Sequence, residues 1–60
     1  MNYKYDYKAV LQDLANHNVD IKRFEEKCVK MCGGGSINQH MFEFLYETIV
    51  VNNYNINVLF

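Results

Sequence analysis

A chain of 60 residues buries only about 60% of the surface its unfolded form exposes, so residues 1–60 can build one small, marginally stable domain at most. Half of the residues are hydrophobic and 15% aromatic, which excludes a disordered chain, and the absence of proline leaves no element short of a backbone donor. The net charge is −1: all six basic residues lie at or before Lys30, only Glu43 and Glu47 are charged beyond it, and a phosphate-binding second half is excluded.

Two cysteines permit a single bridge, far from the density of a disulfide-stapled secreted domain. The first residues contain no apolar leader segment, and no apolar run approaches the roughly 20 residues that span a bilayer. These features lead us to expect a cytoplasmic protein with reduced thiols and no membrane contact.

The first eight residues alternate, with Tyr3, Tyr5 and Tyr7 on one side and Lys4, Asp6 and Lys8 on the other. That period of two predicts a short N-terminal β-strand. Asp6 stands where an N-cap is needed, Tyr5 and Val10 have the spacing of a hydrophobic staple, and Tyr7, Val10, Leu11 and Leu14 recur at helical intervals. A first helix is expected over Tyr7–Asn16, ended by an Asn-His-Asn run whose asparagines tolerate left-handed backbone.

Asp20 repeats the capping signal, with Val19 and Phe24 as the staple. Ile21, Phe24, Cys28 and Met31 form one apolar stripe, and Lys22, Glu26 and Lys30 form an i,i+4 ladder on another face. Gly33, Gly34 and Gly35 stop this second helix. Ser36 and Gln39 have capping-box spacing and predict a third helix over 37–51. That helix is apolar almost all round, with Ile37, Met41, Phe42, Phe44, Leu45, Tyr46, Ile49, Val50 and Val51 against a narrow polar face. After Asn52 and Asn53, the alternation of Tyr54, Ile56, Val58 and Phe60 predicts a C-terminal strand. The expected fold is therefore small α+β, three helices with short terminal strands, with an all-α domain as the alternative.

Candidate chemistry is sparse. Cys28 and Cys32 with scattered His17 and His40 match no compact zinc spacing, so the thiols read as core residues and neither metal nor cofactor is expected. The glycine run lacks the lysine of a phosphate-binding loop and reads as a helix stop. His40 with Glu43 is too common a surface pair to imply an enzyme in so small a chain.

The helix, glycine turn and third helix admit a helix-turn-helix DNA-binding regulator, with Asn38 and Gln39 at base edges and Lys22, Arg23, Lys27 and Lys30 on phosphates. The preferred reading is a non-enzymatic interaction protein. An apolar half too large for one small subunit to cover suggests a homodimer that binds and blocks a larger protein. Abundant Asn, Lys, Tyr, Ile and Phe fit AT-rich coding DNA and a phage or mobile-element antagonist of a host system. The expected interface comprises Phe42, Phe44, Tyr46, Ile49, Val50, Tyr54, Ile56, Val58 and Phe60.

Overall fold

The computed structural model describes residues 3–56. Among the described residues three helices are defined: α1 (Tyr7–Asn16), α2 (Ile21–Met31) and α3 (Gln39–Val51). There is no strand among the described residues, so the fold is all-α and the α+β expectation is corrected.

The N-terminal alternation misled because the backbone there found another acceptor. The N–H groups of Lys4 and Tyr5 donate to the Glu43 carboxylate of α3 at 2.7 and 3.0 Å, leaving no ladder to build. At the other end, Asn53 and Tyr54 take positive φ (56° and 64°), a left-handed turn in place of the extended backbone a strand requires. Val58 and Phe60, the rest of the expected C-terminal strand, lie outside the described residues.

All three helices end in the same hydrogen-bonded device, in which a left-handed residue folds two N–H groups back onto the last free carbonyls. Asn18 and Val19 donate to Ala15 and Leu14, Gly33 and Gly34 to Lys30 and Val29, and Asn53 and Tyr54 to Val50 and Ile49, at 2.8–3.1 Å. The Gly33 and Gly34 amides are therefore spent on closing α2. In α1 and α3 the device also brings an apolar residue past the terminus onto its own helix, Val19 after Leu14 and Tyr54 after Ile49.

The starts are less uniform. Asp20 accepts from the Arg23 N–H at 3.2 Å, as its capping role requires. Asp6 occupies the cap position of α1 in extended backbone, but its side chain caps nothing. At α3 the cap is Asn38, whose Oδ1 accepts from His40 and Met41 (2.8 and 3.4 Å), and the helix begins two residues later than the Ser36 signal suggests. Either residue type can cap; the one adjacent to the first helical turn prevails.

The core takes residues from every helix: Val10, Leu14, Val19, Phe24, Cys28, Phe42, Leu45 and Ile49. Phe24, Phe42, Leu14, Ile49 and Cys28 are its fully buried side chains, each large apolar one stabilising the fold by roughly 1.5–3 kcal/mol. Phe42 is its centre, edge-to-face with Phe24 of α2 at 5.8 Å and tilted against Tyr7 of α1 at 4.7 Å.

Candidate interaction surface

A helix advances 100° per residue, so α3 sorts its apolar residues by position. Phe42, Leu45 and Ile49 face inward and are buried. Phe44 and Val51, seven residues and about 10 Å apart along the axis, share the opposite side. Phe44 is 56% exposed and Val51 80%; Val50, about 100° round the helix from Val51, is 39% exposed. His40, Glu47 and Thr48 complete this outer face, and the Thr48 hydroxyl donates to the Phe44 carbonyl at 2.9 Å.

The charged groups at its edge are already engaged. Glu43 Oε2 accepts from the two N-terminal amides and from Gln39 Nε2 at 3.0 Å, while the same Gln39 nitrogen donates to the Tyr5 carbonyl at 3.1 Å. The Gln39 amide, followed by the Tyr5 backbone, holds the Glu43 carboxyl below its ordinary value. Glu47 Oε2 accepts from the Tyr5 hydroxyl at 3.1 Å and faces Lys4 Nζ at 3.4 Å. That exposed ion pair adds little to stability; the Glu47 carboxylate pushes the Tyr5 phenol upward in pKa. A shallow depression lined by Lys4, His40, Glu43, Phe44 and Glu47 opens beside Phe44. Tyr3, 55% exposed, immediately precedes the pinned Lys4.

The expected interface residues divide. Phe44 and Val50 are exposed, whereas Phe42 and Ile49 are wholly buried in their own subunit and have no surface to offer. Tyr46, Tyr54 and Ile56 are half-buried against the core. Val58 and Phe60 lie outside the described residues. Val51, whose exposure exceeds that of every described residue expected at the interface, was not among them; its seven-residue spacing from Phe44 was the available signal.

The basic set sits on α2. Lys22, Arg23 and Lys30 are exposed and Lys27 half-buried. Arg23, Lys27 and Lys30 share a concavity with Glu26, and Lys22 and Lys30 share another with Glu25, Glu26 and Val29. Carboxylates interleave throughout, which weakens any phosphate contact. Asn38 and Gln39, the residues a helix-turn-helix reader would place at bases, are occupied as a helix cap and as the tie to Tyr5.

Cys28 is buried, and burial pushes its thiol up to about 11, an unreactive state. Cys32 Sγ receives the Asn38 N–H at 3.1 Å. Among the described residues no group of three His, Cys, Asp or Glu side chains is placed to hold a metal ion, and no helix is long and apolar enough to cross a membrane.

One cluster went unforeseen. Asp13 of α1 accepts through a single oxygen, Oδ2, from both the Tyr46 hydroxyl (2.6 Å) and the Tyr54 hydroxyl (2.8 Å). The His17 ring stacks flat on Tyr54, centroids 3.7 Å apart and planes 2° from parallel. The two phenols hold the Asp13 carboxyl below its ordinary value, and burial, followed by the bond to Asp13, raises Tyr46. Only the Asp13–His17 spacing of four was legible in the sequence; the partners are 33 and 41 residues away.

No protein-family model, curated protein or solved structure matches this chain.

Proposed function

We propose that this chain is a non-enzymatic protein-binding module that presents the outer face of α3 to a larger protein and regulates or blocks it by occupying an apolar cleft. The observation that carries this reading is the Phe44–Val51 ridge: large apolar side chains left in water on a helix whose other side already completes the core. An exposed aromatic beside branched aliphatic residues on one helix face is the form in which helices dock into grooves.

The Glu47 carboxylate at the edge of the ridge is held by the Lys4 ammonium and the Tyr5 hydroxyl, so charge by itself does not choose between a larger partner and a second copy. The homodimer and the DNA-binding regulator are the competing readings, and two double variants separate them.

The test compares native chain with Phe44→Gln plus Val51→Gln as bait in extracts of the native host, with light scattering and a salt-titrated DNA-binding assay alongside. A defined protein retained by the native chain and lost by the variant is the expected result. Retention by both would refute the reading. Concentration-dependent self-association abolished by the variant would replace it with the homodimer. Salt-sensitive DNA binding lost on Lys22→Gln plus Lys30→Gln would replace it with the regulator.

A further inference from the structure

We infer that Asp13 is the catch of a strained strap, residues 52–56, which the catch holds closed across the end of α1. Tyr54 carries the strain. It stands at φ 64°, directly after Asn53 at φ 56°, and left-handed backbone is unfavourable for a residue with a bulky side chain. Asparagine tolerates that region; tyrosine needs an external reason to stay there.

Three contacts supply the reason. The Tyr54 N–H donates to the Ile49 carbonyl at 2.8 Å, its hydroxyl donates to Asp13 Oδ2 at 2.8 Å, and its ring lies flat against His17. Two of the three come from α1 and its C-cap, Asp13 and His17, so the end of α1 determines whether the terminus of α3 keeps its shape. The strap in turn lays Tyr54 and Ile56 on the core. When the catch lets go, the turn relaxes toward ordinary backbone, the Tyr54 N–H leaves Ile49, and an apolar strip of core is uncovered next to Val50 and Val51.

The groups that face the catch decide how it responds to pH. Protonation of Asp13 removes the charge that strengthens both phenol bonds and opens the catch. His17 Nδ1 lies 2.8 Å from the Asp13 carbonyl oxygen and 3.5 Å from Asp13 Oδ1, so its ring borders the catch as well as stacking on Tyr54. Tyr46 shares the carboxylate, and Tyr5, edge-on to Tyr46 at 5.0 Å, links it to Glu47 and Lys4. Because the phenols hold Asp13 ionised below its ordinary value, the strap stays shut through neutral and mildly acidic solution. This device does not depend on what α3 binds.

Amide hydrogen exchange on the full chain tests it, read at Tyr54 and compared with Phe24 and Leu45. Asp13→Asn copies the protonated carboxyl while keeping its shape. It is expected to lower the protection of the Tyr54 amide about tenfold at neutral pH, with Phe24 and Leu45 unchanged, because neutral acceptors are roughly half as strong as charged ones. Tyr54→Phe, which keeps the ring on His17 and the Tyr46 tie intact, is expected to do the same and carries the test if Asp13→Asn does not fold. Wild-type protection at Tyr54 in the folded variants overturns the inference. So does loss of protection at Tyr54 only in step with Phe24 and Leu45.

Discussion

Both sides of α3 carry large apolar residues, and the two sides employ them in opposite ways. Inside, Phe42, Leu45 and Ile49 meet α1 and α2 and are at most 3% exposed; outside, Phe44 and Val51 meet water. Hydrophobicity alone therefore cannot separate residues that make this fold from residues that the fold displays. Their angular position against α1 and α2 does, and substitutions on the two sides should behave as different kinds of change.

The largest effect is expected inside. Phe42→Ala removes the ring that touches both Phe24 and Tyr7 and should cost about 3–5 kcal/mol, comparable to the whole stability of a domain this small. Circular dichroism should show a largely unfolded chain; native helicity with an unshifted urea midpoint would break the comparison at once.

Alkali should weaken the same side more gently. The Tyr7 hydroxyl donates to Glu25 of α2 at 2.9 Å, and burial, then that bond, pushes its pKa from 10.0 up to about 12. The folded state favours the protonated phenol, so its contribution is complete below pH 10 and is lost as pH rises toward about 12. Tyr7→Phe should flatten this alkaline loss in urea midpoints measured across that window; an unchanged pH profile would place the effect elsewhere.

At the edge of the outer side, Glu43 pins the N-terminal arm. Glu43→Gln removes the charged acceptor and should raise hydrogen exchange at the Lys4 and Tyr5 amides while the three helices keep theirs. Acid should mimic it in the native chain: the Glu43 carboxyl is held below its ordinary value, so its contribution is present above the ordinary glutamate range and fades as pH falls below it. Unaltered exchange in the variant would mean that the arm is held by the Tyr5–Tyr46 ring contact instead.

A smaller probe needs no change in sequence. Cys28 belongs to the inner side and Cys32 to its margin, so a mild alkylating reagent should modify Cys32 first and reach Cys28 only on unfolding. Mass spectrometry of the folded protein showing equal modification would contradict the core assigned here.

Much of the fold was legible in the sequence because it is locally determined. Periodicity placed α1 on its observed bounds, and asparagine and glycine marked the left-handed ends of all three helices. What misled was local pattern with two physical solutions. The alternating tyrosines fit a strand, yet an isolated strand needs a neighbour for its amides, and the Glu43 carboxylate met that need instead. Ser36 and Asn38 are both capping residues, and only the position of the first helical turn chose between them. The Asp13 catch was invisible for another reason. It joins residues 33 and 41 positions apart, a juxtaposition that exists only once α1 and α3 have packed. Of the exposed apolar residues of α3, Phe44 and Val50 were foreseen and Val51 was not, because apolar residues spread so widely round a helix do not by themselves mark which side will be covered.

Equilibrium urea unfolding of the Phe44→Gln, Val51→Gln double variant tests the central division most directly. If the outer ridge is displayed rather than used by the fold, the double variant should unfold within about 0.5 kcal/mol of the native chain, as exposed substitutions do. A loss of several kcal/mol would contradict that division and return Phe44 and Val51 to the core.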